Sequence, residues 1–290
     1  QRASVLQRLN DTVSNEVCKR HWGAPAPGVS PGGTPRFYIM DIRGLFMAAG
    51  ILRYTLAQFQ TSVYYRGQRK DWAAQVSLLR GAATRGEARV RVQWLTEALA
   101  LTKPVFDPPS PSEEREALLQ HYGLHTRWLD VMDNVQMAAW FAYHGAQVEP
   151  DAVGQQDDGS GHITAIACPT KGGGYATAFD LRGKPSEWLR PHVQQAWAIR
   201  STRPDIGLGN LHFLQASTFI VPRPLLRQWS AYETLTPEVV FPRENEDRGV
   251  YYWRRAQENV LICSSGLTAA GLLRTLPNTW GNENSGRSGL

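Results

Sequence analysis

A chain of 290 residues that is 42% hydrophobic, 10% aromatic and 20% charged has the make-up of a folded globular protein with room for a large core. Its formal charge of +5 is mild and has no polybasic tail; it is densest through Arg66, Arg69, Lys70, Arg80, Arg85, Arg89 and Arg91, which suits phosphate-bearing partners without choosing between a dinucleotide and a polynucleotide. No apolar run reaches the roughly 18 residues of a membrane span, and no signal-peptide pattern is present, so neither membrane insertion nor export is expected.

In chain order, 24–36 is rich in proline and glycine and reads as a linker, closing an N-terminal arm over 1–36. The main body is expected over 37–275, with a flexible tail over 276–290. From Asp41 to Phe59 the apolar residues Ile42, Leu45, Phe46, Ala49, Leu52, Leu56 and Phe59 recur at helical spacing, and Asp41 is the candidate N-cap. Val63-Tyr64-Tyr65 has high β preference and leads into Arg66-Gly67, so the spacing predicts a strand delivering an arginine at its C-terminal end. A glycine there lets another backbone or a ligand approach closely.

An amphipathic helix is predicted over 87–100, followed by a proline-rich break at 104–111. Ser110-Pro111-Ser112-Glu113 opens the next helix with a serine cap and a proline in its first turn, and Gly123 is placed to end it in the left-handed conformation. Asp133 or Asn134 caps a further helix through Met137, Ala138, Trp140 and Phe141, ended by Gly145. A polar loop over 145–161 precedes predicted strands at 163–168, 216–221 and 239–241, and a helix around 250–260. The ten tryptophans, spread from Trp22 to Trp280, read as packing residues. Cys18, Cys168 and Cys263 are far apart and lack metal-type spacing, which points to a reducing compartment, with Cys168 a buried thiol in a strand. The fold class read from this pattern is α+β, with helices of the first half packed on a sheet that the second half completes.

Between the helix ending near Tyr122 and the one starting near Asn134, a short loop offers His121, His125, Thr126, Arg127 and Asp130. A polar loop between two amphipathic helices is a favourable place for binding groups. His121 and His125 are four apart, but Gly123 interrupts the continuous helix that a metal pair would need, and no third ligand follows, so no metal site is expected. The plainer reading makes His121 a core histidine and pairs Asp130 with Arg127 as a loop brace.

Tyr65-Arg66-Gly67-Gln68, the run from Leu119 and Gln120 through His121-Tyr122-Gly123-Leu124-His125-Thr126-Arg127-Trp128-Leu129-Asp130, and then Asn134 and Ala138–Ala142 together resemble the FRG domain. His125 stands where that family usually has proline, and Trp128 where it has leucine. The looser segments Arg190-Pro191-His192-Val193-Gln194-Gln195 and Val240-Phe241-Pro242 resemble the family's later Arg–Gln and Phe-Pro-acid stretches. The resemblance implies an ADP-ribosyltransferase-like fold with a split β-sheet core. It also implies an NAD-dependent ADP-ribosyltransferase or NAD glycohydrolase, a toxin or phage-defence protein of the cytoplasm, with NAD as substrate. On that reading Arg66 holds NAD and a late acid, Glu244 or Glu238, directs transfer, while Tyr65, Gly67, Gln68, His121, Tyr122, Thr126, Arg127 and Asp130 line the NAD site. The acceptor would be protein, nucleic acid or water, and an inhibitor or antitoxin protein would be a partner. The competing expectation is a non-catalytic module that binds a nucleotide or nucleic acid.

Overall fold

The computed structural model describes residues 34–102, 112–145, 159–170, 175–184, 187–202, 211, 214–230, 235–243 and 245–263, with the side chains of the last helix described as far as Arg255. In chain order the strands are β1 (Arg36–Tyr38), β2 (Thr61–Gln68), β3 (Leu129–Met132), β4 (Ser160–Pro169), β5 (Ala176–Asp180), β6 (Ala196–Ser201) and β7 (Gln215–Pro222). The helices are α1 (Ile42–Ala57), α2 (Arg85–Thr102), α3 (Ser112–Gln120), α4 (Val135–His144), α5 (Leu189–Val193), α6 (Arg223–Ser230), α7 (Pro237–Val240) and α8 (Arg248–Cys263). The expected α+β class is observed, with three strands from the first half and four from the second.

The strands make one mixed sheet in the order β1-β7-β4-β2-β3-β6-β5, in which β1 runs parallel to β7 and the other pairs are antiparallel. Its two halves are unequally joined. β2 pairs with β4 along its whole length, from Thr61–Pro169 to Gln68–His162, but with β3 only through Tyr65–Met132. A four-strand ladder and a three-strand ladder thus meet at one residue pair and diverge from it.

Alternation along the strands divides the core. Val63, Tyr65, Met132, Ile163, Ala165 and Phe219 pack under α1 and α4. Ala196 and Ala198 continue that face of the sheet beneath Leu95 and Leu99 of α2, Leu119 of α3 and Trp253 of α8. On the opposite face Tyr64, Leu129, Val131, Ile166, Cys168 and Ile199 pack against Ala74, Val76, Leu211 and Leu214. Cys168 is buried, as its apolar flanks suggest, and burial pushes its thiol pKa up to about 11.

Several local readings hold. Asp41 accepts a hydrogen bond from the Gly44 N–H at 2.7 Å and caps α1, while Asn134 accepts from Gln136 and Met137 and caps α4. Gly123, at φ 103°, ends α3, with the Leu124 N–H reaching back to the Leu119 carbonyl.

Others change. β2 runs two residues past Arg66, so the arginine lies inside the strand rather than at its end. The supposed loop 123–133 contains β3, because Leu129 and Val131 alternate with Asp130 and Met132 between β2 and β6. Val239 to Phe241, read as a strand, begins instead in the short helix α7: Pro237 at its start sets φ for a helical turn, and that local geometry overrides the β preference of the two valines. The arm over 1–33, the cap at Ser110-Pro111, most of the loop over 145–161 and the tail over 276–290 lie outside the described residues.

Candidate functional site

The Tyr-Arg-Gly tripeptide and the 120–130 segment meet where the two ladders part. Arg66 donates from Nη1 to the Asp130 carbonyl at 2.7 Å. Where the backbones diverge, a side chain supplies the donor that a regular ladder would take from the main chain. Tyr64 and Arg66 point to one face of the sheet, while Tyr65 and Gly67 point to the other. Gly67 is required by packing: a Cβ there would lie 1.8 Å from the Ala138 carbonyl oxygen of α4. The backbone that comes close to this glycine is therefore a helix of the same chain. Burial lowers the Arg66 pKa from the ordinary arginine value, opposed by the Asp130 charge and reinforced by that of Arg80.

Most polar groups of the 120–130 segment are engaged inside the fold. Glu116 of α3 is 0% exposed and takes the Arg127 backbone N–H at 2.8 Å, its Nε at 3.1 and 3.2 Å and its Nη2 at 2.5 Å. Arg127 thus pairs with Glu116 and not, as its proximity in sequence to Asp130 suggests, with that aspartate. The Glu116 hydrogen bonds raise the Arg127 pKa. Thr126 donates to Gln120, and its backbone N–H donates to Ser77 Oγ at 3.1 Å.

His121 is a core histidine. Its Nδ1 contacts Gln194 Oε1 at 3.0 Å and its Nε2 faces Asp130 Oδ1 at 3.2 Å. Gln194 in turn donates to the Val240 carbonyl at 3.0 Å. Tyr122 donates to both carboxylate oxygens of Asp247, 3.0 Å from each. Asp247, also 0% exposed, accepts further from the N–H groups of Leu189, Arg190 and Gly249. Arg190 lies 3.8 Å from that carboxylate and over the Tyr122 ring. Burial first, then the Asp247 charge, raises the Tyr122 pKa. Arg190 and Gln194, with Val240 and Asp247, therefore come to the His121-Tyr122 pair. Asp247 went unread although an aspartate immediately before Arg248-Gly249 carries an N-cap signal.

An open cleft of about 430 Å³ lies on the α1 and α4 face of the sheet. Its walls are Phe46, Ala49, Gly50 and Arg53 of α1, Asp133, Asn134 and Val135 at the start of α4, and Arg182 and Gln195, with Tyr65 beneath. Arg53 sits over the Tyr65 ring at 5.5 Å and donates to the Asp133 carbonyl. The Asp133 carboxylate is 28% exposed and takes Arg182 Nη1 at 2.7 Å. Arg182, 36% exposed, also spans Asp180 from Nε and Nη2 at 2.9 and 2.8 Å. Gln195 has φ 49°, a left-handed conformation that only a minority of non-glycine residues adopt, held by the hydrogen bond from its N–H to the His192 carbonyl. Phe46 adds an exposed aromatic face.

Tyr65 of this cleft comes from the tripeptide, and Asp133 and Asn134 follow directly on the polar segment. Residues 61–150 match the FRG domain. The FRG match covers both segments, so it contributes Tyr65, Asp133, Asn134 and Val135 to the cleft as well as the joint between Arg66 and Asp130. No curated protein and no solved structure matches the chain.

Arg53 and Arg182 escaped the sequence reading because nothing local marks them, while Gln195 entered it only as the end of the looser Arg–Gln stretch; Arg182 and Gln195 lie beyond the FRG match and reach the cleft through the sheet order. Of the acids proposed for catalysis, Glu238 is exposed in the first turn of α7, its carboxyl held low by its own backbone N–H and the Thr236 hydroxyl, and it does not line the cleft. Glu244 lies outside the described residues. Among the described residues no cluster of histidine, cysteine, aspartate and glutamate could hold a metal ion, and no helix is long and apolar enough to cross a membrane.

Proposed function

We propose that the cleft binds a phosphate-bearing nucleotide, with NAD as the substrate and ADP-ribosyl transfer or NAD hydrolysis as the reaction. The observation that carries this reading is one cleft, floored by the FRG tyrosine, that gathers two guanidinium groups and a partly exposed carboxylate: Arg182 pairs with the Asp133 carboxylate and Arg53 donates to the Asp133 backbone carbonyl. Guanidinium groups suit the pyrophosphate, since their forked donors match its oxygens. Phe46 offers a ring on which a base can stack. Cleaving the nicotinamide–ribose bond builds positive charge on the ribose, and a nearby carboxylate stabilises that charge most in the transition state. Asp133 is the only acid among the described residues lining the cleft.

On this reading Arg66 acts from the other face of the sheet. It sets the divergence of β2 from β3, and with it the height of Tyr65 and the start of α4. The ADP-ribosyltransferase-like fold expected from the resemblance accords with two ladders joined at one pair.

The test is calorimetric binding of NAD together with nicotinamide release. Arg182→Ala is expected to weaken NAD binding about tenfold or more, and Asp133→Asn to lower release with little loss of binding. Higher salt is expected to weaken binding, since the pyrophosphate contacts are ionic. NAD binding without release in any acceptor condition would favour the non-catalytic nucleotide module. That alternative rests on Asp133 being already engaged by Arg182. Absence of NAD binding would end the NAD reading and leave only a module for another nucleotide or a nucleic acid.

A further inference from the structure

A second basic corner lies away from the cleft, where the short turn Ser77–Leu79 docks on the 124–126 stretch. Two hydrogen bonds staple the turn to the loop: the Leu78 N–H donates to the Thr126 carbonyl at 3.1 Å, and the Thr126 N–H donates to Ser77 Oγ at 3.1 Å. Arg91 of α2 fixes the turn from the other side, donating from Nη1 to the carbonyls of Leu78 and Arg80 at 3.1 and 2.8 Å. Arg80 is exposed at the end of this turn and His125 half-buried in the docked loop.

The charges around His125 are almost all of one sign. Arg80 comes from the turn and Arg91 from α2. The acid on α2, Glu87, takes the Ala83 N–H and Arg91 Nη2, at 3.0 and 2.5 Å. On the loop itself Arg127 belongs to Glu116, and the carboxylate of Asp130 is turned to His121. Burial, then Arg80, then Arg91 lower the His125 pKa, so the free imidazole is neutral at neutral pH. Arg80 has one weak contact, from Nη2 to the Gln75 carbonyl at 3.5 Å, and keeps donors for a ligand.

We propose that this junction is a second oxyanion site, in which Arg80 and His125 bind a phosphate group while Arg91 holds the turn in place. The frame is stapled before the ligand arrives, so little ordering is needed on binding. An anion between Arg80 and His125 stabilises imidazolium, so binding takes up a proton at His125, and affinity rises as the pH falls. The site is independent of the cleft chemistry: it lies on other elements and requires no NAD turnover.

Sulfate is the first probe, because it shares the shape of phosphate and carries no titrating proton near neutrality. The His125 ring signal is followed by NMR against pH, with and without sulfate, and affinity is measured by calorimetry. Sulfate is expected to raise the His125 pKa, and affinity to rise about fivefold from about pH 8 to about pH 6. Arg80→Ala should weaken binding about fivefold or more and erase the His125 shift; His125→Gln should leave weaker binding that no longer depends on pH. ADP and inorganic phosphate, each titrated on the His125 ring signal so that binding in the cleft does not count, then separate the source of the phosphate group: tighter binding of ADP at His125 supports a nucleotide phosphate and equal binding supports the free ion. No saturable effect of sulfate on His125, or an undiminished effect in Arg80→Ala, would overturn the proposal.

Discussion

The polar network around Glu116 and Asp247 and the cleft between α1 and α4 are both rich in charge, yet they treat it oppositely. In the network two carboxylates are 0% exposed, and hydrogen bonds from named donors surround each of them. In the cleft, Asp133 and Arg182 retain solvent-facing atoms, and Arg182 divides itself between two aspartates. A buried charge without a full set of partners is costly, so the sealed network has been completed by the fold itself. A half-exposed pair can exchange one partner for a ligand at little cost. Stability should therefore follow the first region and ligand binding the second, and four changes test that division.

The largest effect is expected at Asp247. Asp247→Ala removes the acceptor for the Tyr122 hydroxyl and three backbone N–H groups, and leaves Arg190 beside an uncharged site. The expected loss is about 3–5 kcal/mol by urea unfolding. Asp247→Asn keeps the shape and some acceptor capacity and should lose clearly less. A loss below about 1 kcal/mol for the alanine variant would mean that Asp247 does not hold α5, α8 and Tyr122 together.

Next comes Gly67→Ala, which drives a Cβ into the Ala138 carbonyl of α4. Because the obstacle is helical backbone, it cannot swing away as a side chain would, and about 3 kcal/mol of destabilisation is expected. Gly50→Ala on α1, where a Cβ meets nothing within 4 Å, is the matched control and should be neutral or slightly stabilising. Equal unfolding midpoints for the two variants would refute the close approach of α4 to β2.

These two positions also show what could be read in advance. Gly67 was legible as a close-approach glycine, because a glycine after a β-rich run signals a neighbouring backbone. That the neighbour is α4 was not, since only the fold brings Ala138 there. His121 was legible as a core histidine, but its partner Gln194 lies 73 positions away in sequence, beyond any local pattern. The helices were read well because caps such as Asp41 and Asn134 act locally. β3 was lost among polar residues, because four residues are too few for their alternation to stand out in the sequence. The cleft was the least legible part: Arg53 sits on an ordinary helix, and Arg182 follows a strand that had not been read as one.

In the cleft the division predicts the reverse pattern. Arg182→Ala should change stability by no more than about 1 kcal/mol, since its partners remain hydrated when it is gone. Its effect on nucleotide affinity should still be about tenfold. A stability loss as large as that of Asp247→Ala would place Arg182 with the sealed network and remove the contrast between the regions.

The smallest effect concerns two histidines outside both regions. Burial lowers the pKa of His144, with help from Arg223 and then Arg69, and of His162, with help from Arg36, each from 6.5 to about 4. His144 is also stacked on Trp140, with ring centroids 4.3 Å apart. Above the unfolded value both states carry neutral imidazoles, and no proton is exchanged on unfolding. Between 6.5 and about 4 the unfolded chain binds the protons that the folded chain refuses, so stability falls as the pH falls through that window. The loss should be about 1 kcal/mol per histidine, once solvent screening of these half-buried rings is allowed for. His162→Asn should flatten part of that slope while leaving the unfolding midpoint near neutral pH almost unchanged. An unaltered slope in this variant would mean that His162 is protonated as readily in the folded protein as in the unfolded chain, and that the polar side of β4 is wetter than its packing implies.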